Sequence, residues 1–440
     1  MENLGALSGI NIYPQPTPGS DAGITSGFAL DLAGKTSYRG GRKQIEVPNF
    51  KRVRRTPGQL TGKADASGLL PCNLSADMRN KARILALHVG PDGYSRVGGL
   101  HIFRNAGRPA MFEVEKIHVD TGSDVTNREC ENFSDDITHK FSEDGAAQFD
   151  WTVSGSGRRV LNTPLAGPPT LADEVFVASS YFDAFMHRGG SLETECSDFT
   201  FSLKNAIKRQ AKILTGRGIG TKYAGLPRGA GKLGVIFEDY SFLQDAIDGA
   251  DIPIECVWGS GDPTVAAQFY ERHRMNIRLE EMDEDVGGED MTLIDQAFNV
   301  VYPRSGGKLA AEIICPTIPF DPVTGLPTTF TIPASSVLKF KHNGGAGVSC
   351  PITAGDRSYA DIVADVLAVA GYTAFGGADL FTGRARFSTT VKGASESLQI
   401  DTTAVGSIHA LLGLDNVARV GYDGIDWVAE IMTDLAVDLI

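Results

Sequence analysis

The stretch that decides the fold runs from Ser197 to Gly220, SDFTFSLKNAIKRQAKILTGRGIG, and resumes from Gly231 to Gly259, GKLGVIFEDYSFLQDAIDGADIPIECVWG. Its opening, Asp198 to Leu203, alternates polar and apolar residues, the period of a half-buried strand. A basic run follows. Gly231-Lys232 then leads into a second strand, Leu233 to Phe237, and the spacing from Tyr240 to Ile247 predicts a short helix.

The same order of features occurs earlier in the chain. Gly27 to Leu32 alternates, a long basic stretch follows, and Thr61-Gly62-Lys63 leads through a short segment into a helical pattern from Asp77 to His88. The offset of roughly 170 residues is about one domain, far too long for a solenoid repeat. Working outward, Phe112 to Ile117 pairs with Asn276 to Glu281 as a charged, alternating strand. Gln148 to Val153, after the turn at Asp144-Gly145, pairs with Lys308 to Ile314, after the turn at Ser305-Gly306-Gly307. Period-2 segments bounded by turn residues mark antiparallel strands.

Charge follows the duplication. The chain has 440 residues, with 41 Lys+Arg against 54 Asp+Glu and a net charge of −13. From Lys35 to Lys63 nine basic residues face a single acid, Glu46; from Lys204 to Lys232 eight face none. The remainder is therefore strongly acidic. Its acids gather at matching places, around Glu129, Glu131, Asp135, Asp136, Glu143 and Asp144, and from Glu280, Glu281, Asp283, Glu284 and Asp285 to Glu289 and Asp290. An acidic total argues against tight nucleic-acid binding, which depends on neutralising phosphates. Repeated basic arms with repeated acidic patches instead suit head-to-tail docking between copies.

Beyond about Val337 the pattern changes. An alternating strand, Val337 to Lys341, meets a turn at Asn343-Gly344-Gly345. A helix follows with Tyr359, Ile362, Val363, Val366 and Leu367 on one face and Gly371 at its end. Arg384 to Ser388 and Ser397 to Ile400 read as strands, and Gly406 to Leu412 as a short helix. This is a separate small α+β unit, and the Pro-rich stretch Pro316 to Pro333 is its linker.

Familiar chemical motifs fail on their spacing. Arg228 to Leu233 lacks the first glycine and the Ser/Thr of a phosphate-binding loop, and Gly216 to Gly220 lacks the dinucleotide spacing. Asp283 to Glu289 resembles a calcium loop, but Ile294 stands where the bidentate Glu is required. The six cysteines lie tens of residues apart with no CxxC, which argues against zinc and thioredoxin-like chemistry and predicts buried free thiols. No HExxH or GxSxG occurs, so no enzyme and no cofactor or metal is expected. No window approaches the roughly 18 apolar residues of a membrane span, and the polar start from Met1 to Ser20 has no secretory signal.

A strand, a charged arm, a Gly-led strand, a short helix and an antiparallel return, present twice, resembles the tail tube proteins of long-tailed bacteriophages. The likeness is best over Glu193 to Pro316 and extends to GFALDLAG, GQLTGKADASG and FEVEKIHVD in the first half. The segments SYADIVADVLAVAGY and AVGSIHALLGLD are similar to small domains appended to phage tail and flagellar components. The resemblance implies a mainly β chain with two tandem tube-like β-sandwich or barrel domains, 1–175 and 176–330, and a small α+β decoration domain, 331–440.

It also implies a structural virion protein, assembled in the host cytoplasm, whose rings stack into a tail tube that conducts DNA without binding it specifically. Two domains per chain imply trimeric rings, with hexamers as the alternative. Tape measure protein, tail terminator and baseplate proteins are the further partners. On this view Arg39, Arg42, Lys43, Lys51, Arg52, Arg54, Arg55, Lys204, Lys208, Arg209, Lys212, Arg217, Lys222 and Arg228 form the ring-stacking arms. Glu129, Glu131, Asp135, Asp136, Glu280, Glu281, Asp283, Glu284 and Asp285 are the docking or lumen acids. The rival readings are a tail terminator or baseplate component, a β-rich glycan-binding module and, more distantly, a glycan hydrolase.

Overall fold

A computed structural model describes residues 9–440 apart from short breaks and the longer stretches 48–57, 162–183, 210–221, 260–269, 281–292 and 316–327. The first half contains β1 (Gly9–Pro14), β2 (Phe28–Ala29), β3 (Arg39–Val47), β4 (Gly58–Asn73), α1 (Arg79–Val89), β5 (Tyr94–Val97), β6 (Leu100–Arg104), β7 (Met111–His118), β8 (Val125–Phe141) and β9 (Gln148–Leu161). The second contains β10 (Ala184–Arg188), β11 (Ser191–Leu192), β12 (Cys196–Lys204), β13 (Lys208–Arg209), β14 (Lys222–Tyr223), β15 (Arg228–Ile236), α2 (Ser241–Asp248), β16 (Ile252–Gly259), β17 (Tyr270–Leu279) and β18 (Leu293–Val300).

A smaller unit follows: β19 (Ala310–Ile314), β20 (Thr329–Ile332), β21 (Ser336–His342), β22 (Val348–Ile352), β23 (Gly355–Ser358), α3 (Tyr359–Leu367), α4 (Ala370–Thr373), β24 (Gly376–Phe381), β25 (Arg384–Lys392), β26 (Ser397–Ile400) and β27 (Arg419–Val420). The last strand is β28 (Trp427–Met432). The chain is mainly β, as expected, and its described strands form no closed barrel.

The duplication is visible in the pairing. The first half runs β1-β7-β8-β9-β4-β3 and the second β10-β16-β17-β18-β15-β12, antiparallel throughout. The counterpart of β7 is thus β16, not the 276–281 segment, and the counterpart of β9 is β18, not 308–314. Likewise β12 corresponds to β3, not to Gly27–Leu32, of which only Phe28–Ala29 is strand. Matching by alternation slips by one strand later because half one carries an extra hairpin, β5-β6, between its helix and β7, whereas α2 leads almost directly into β16. A period of two residues is the same in every strand and cannot detect such a slip.

The two halves share one core. It includes Ile12, Leu85, Phe112, Trp151, Phe201, Leu233, Ile277 and Trp427, all at or below 1% exposure; fully burying a large apolar side chain contributes about 1.5–3 kcal/mol. Helix α1 is buried almost all round. It stops at Gly90, whose φ of 71° and close approach to the Arg108 carbonyl leave no room for a Cβ. Strand β8 joins the halves, with β9 along one edge and β7 then β12 along the other. Two register shifts, at Glu131 (φ 58°) and Asp135, bend its alternation, so buried Asn132 and Ser134 give way to buried Ile137 and His139.

The small unit has its own core, which includes Leu338, Phe340, Ile362, Val366, Tyr372, Phe387 and Leu412. Helix α3 starts on a capping box: Ser358 Oγ accepts from Asp361 N–H while the Asp361 carboxylate accepts from Ser358 N–H. Its inward residues are those expected, except that Leu367 is 42% exposed. Gly371 lies inside α4 and does not end α3. Gly406 to Leu412 forms turns, not a helix, because Gly406 (φ 76°) and Ile408 carry main-chain bonds to Val337 on β21. The expected strand Lys308 to Ile314 is present as β19 but pairs with β25 of this unit. None of the six cysteines is in a disulfide, and all but Cys196 are buried, as expected. Residues 316–327 of the Pro-rich linker, the Asp283–Glu289 loop and Gly216–Gly220 lie outside the described residues.

Candidate functional site

Three arrangements concentrate charge: the basic arms, the acids at their bases, and a strip along β17. Both arms leave the sheet as antiparallel hairpins between equivalent strands. In the first, β3 and β4 pair from Arg39↔Ser67 to Val47↔Gly58, which places Arg39, Arg42 and Lys43 on the outgoing strand. In the second, Lys204 and Arg228 stand opposite each other, both exposed, and Lys208 and Arg209 pair with Tyr223 and Lys222. Lys51, Arg52, Arg54, Arg55, Lys212 and Arg217 lie outside the described residues.

Half one grips the base of the second arm. Asp135 accepts from Asn205 N–H through its carbonyl at 2.8 Å and from Ile207 N–H through its carboxylate at 3.1 Å. Asp136 faces Lys204 across the β8-β12 pair, with 3.9 Å between charged atoms. Burial raises the Asp136 carboxyl to about 6 against the pull of Lys204. Glu131 is half-buried and its N–H donates to Gln15. Glu129 is fully buried, which removes it from any surface that could dock or line a channel. Glu280 is exposed and accepts from Asn299 Nδ2 at 2.6 Å. Glu281, Asp283, Glu284 and Asp285 lie outside the described residues.

Behind this surface a polar cluster is buried where α1, β8, β17 and β28 meet. Trp427 Nε1–H donates to His273 Nδ1 at 3.0 Å, so that nitrogen carries no proton; Nε2–H donates to Glu271 Oε1 at 2.7 Å. Lys81 Nζ lies 3.3 Å from the His139 ring nitrogens and 3.8 Å from the Phe149 ring centre. Burial lowers the Lys81 ammonium to about 8, and Glu271 opposes that shift. The same burial holds His139 and His273 neutral and lowers His88 to about 3. Ser134 Oγ accepts from Trp151 Nε1–H at 2.8 Å and bonds His88 Nδ1 at 2.7 Å.

His139, Glu271 and His273 bring one ligand atom each within 4.8 Å of one another, a possible metal set. The hydrogen bonds argue otherwise. A metal on His273 Nε2 requires a proton on Nδ1, which would then point at the Trp427 N–H. Lys81 already brings a positive charge to the same centre. The cluster is a charge-balanced seam.

On the opposite face of β17, Arg272 bonds Glu430 at 3.1 Å, Glu312 at 2.5 Å and also Glu255. Arg274 bonds Glu430 at 2.6 Å, and Arg386 of β25 lies 3.5 Å from Glu255. Burial works against the Glu312 carboxylate, yet Arg272 and Arg274 hold it down at about 2. Neither strip was found from sequence. The signal was present in Glu271-Arg272-His273-Arg274, four ionisable residues in a row inside a strand.

The family model described as phage tail tube protein matches residues 6–300. No curated protein matches the chain.

Proposed function

Because the chain belongs to the phage tail tube protein family, structural proteins of the virion tail, we propose that it self-assembles into stacked rings of three chains around a channel for DNA. The observation that carries this reading is the β8-β12 pairing, Asp136↔Lys204 to Phe141↔Phe199, which joins two units of equal topology edge to edge within one chain. Two such units, built on β1 to β9 and on β10 to β18, occupy two consecutive places in a ring, so three chains give pseudo-sixfold closure. Closure also removes sheet edges that would otherwise aggregate.

The basic hairpins lie in ring–ring contacts, away from the channel, and an acidic lumen lets phosphates slide without sticking. The small unit decorates the outside, where it does not obstruct DNA. Assembly takes place in the host cytoplasm, with tape measure protein inside the tube and terminator and baseplate proteins at its ends. The role is structural and not enzymatic.

Electron microscopy of assembled protein tests this directly. Rings with three copies of the chain are expected; six copies per ring, or dispersed particles only, refute it. Replacing Arg52, Arg54 and Arg55 with Ser should impair tube growth and leave the far-UV spectrum unchanged. Assembly equally efficient in low and high salt counts against charged arms.

A further inference from the structure

Half one ends on an unbroken strand: β9 pairs with β8 from Gln148↔Lys140 to Leu161↔Asn127. Half two does not. There β18 covers Leu279 to Ile277 of β17 and stops at Val300, and β28 covers Met275 to Tyr270 starting from Trp427. Both lie antiparallel to β17 and on the same edge, because β16 occupies the other edge from Tyr270 to Ile277. Asn276 stands at the junction and is held from both sides. Its carbonyl accepts from Val301 N–H at 2.8 Å, and its N–H donates to the Asp426 carbonyl at 3.1 Å. Residues 300 and 301, then 426 to 432, therefore follow one another along β17 as a single strand would.

We infer that residues 302–425 are a guest spliced into the last strand of the second tube unit, and that β28 is the displaced end of that strand. The word tube rests on the reading above; the splice rests on the pairing alone. Three observations agree. The family match ends at residue 300, one residue before the break. The small core is drawn from Ala311 to Leu414, whereas Trp427, Ala429 and Ile431 of β28 belong to the main core. The ionic contact divides evenly: the guest supplies Glu312 and Arg386, and Arg272 and Arg274 with Glu255 and Glu430 remain balanced on the host. The far edge of β28 pairs with β6, so this returning strand also ties half two to half one. The end of the chain is thus part of the tube body and not part of the small unit.

Hydrogen exchange on the unassembled, full-length chain tests the splice. Phe340→Asp places a charge in the guest core, against Tyr372 and Phe387. Amides of the guest should lose protection while Val428 to Ile431 remain as slow as Arg272 to Met275. Loss of protection in β28 together with the guest overturns the inference. The wild-type chain in sub-denaturing guanidinium decides the matter without any substitution. There β28 should open with β17; opening with the guest overturns the inference. Missing rings with these exchange patterns intact would refute the tube reading and leave the splice standing.

Discussion

Glu271 and His273 point to one face of β17, and Arg272 and Arg274 to the other, as the two-residue repeat of a strand requires. The first face is sealed: Glu271, His273 and His139 are at most 1% exposed, and the seam between the halves contains one ammonium, one carboxylate and neutral imidazoles. The second face is denser in charge, with two buried arginines against three carboxylates. Those carboxylates keep a view of solvent, with side-chain exposures of 18% for Glu255, 14% for Glu312 and 10% for Glu430. Where water is excluded the strand uses few charges and many directed hydrogen bonds. Where water reaches the rim it sustains a full ionic cluster, because each carboxylate loses less hydration.

The largest break in that comparison should come from the crowded face. Arg272→Met leaves three clustered carboxylates without their common partner and should cost about 3–5 kcal/mol, read by urea unfolding. A change under about 1 kcal/mol would mean that the cluster is solvated, not buried. Next comes acid. Burial lowers His139 and His273 below the usual imidazole range and lowers His88 to about 3, whereas unfolded histidines titrate near 6.5. The unfolded chain therefore binds the extra protons, and stability should drain away as pH falls from about 6.5 toward 3.

Asp136, raised to about 6, works in the opposite sense. Its contribution is present below about 4 and lost as pH rises through 6, but it is one group against three. The urea midpoint should fall steadily from pH 7 to pH 4, and less steeply in His88→Gln. A flat or rising midpoint contradicts the sealed seam.

Smaller effects sharpen the same contrast. Glu271→Gln removes the partner charge of Lys81 and should cost roughly 2–3 kcal/mol. In the double variant with Lys81→Met the loss should be less than the sum of the singles; strict additivity would show that the two charges do not interact. Trp427→Phe orphans His273 Nδ1 at a cost of about 1–2 kcal/mol, and a neutral outcome would remove the basis for the tautomer. Ser358→Ala should cost about 1 kcal/mol and loosen amides of α3 alone. Loosening of β17 in that variant would show that the two cores are not separate.

Much of the local structure was legible. Alternation located β12, β15, β7, β9, β21, β25 and β26, and helical spacing located α1, α2 and α3, because those patterns depend only on neighbours in sequence. The second half of the repeat was misaligned, since alternation carries no label for which strand is which. Gly406 to Leu412 looked helical by spacing, but long-range bonds to Val337 made it a chain of turns. Of the proposed site residues, the arm bases could be read from charge. The role of Asp135 and Asp136 in holding the second arm could not, because it depends on β8 reaching β12.

The sequence by itself determined a mainly β chain, a duplicated order of basic arm, strand and helix, and a small C-terminal unit with its own amphipathic helix. These follow from side-chain periodicity and from charge counted along the chain. Only the tertiary structure decided that Glu271 and Arg272, adjacent in sequence, serve two different seams, and that the final strand completes an edge left open at Val301. The physical reason is that backbone hydrogen bonds in a sheet pair any two compatible edges, however far apart in sequence. Which edges meet is set by burial across the whole molecule.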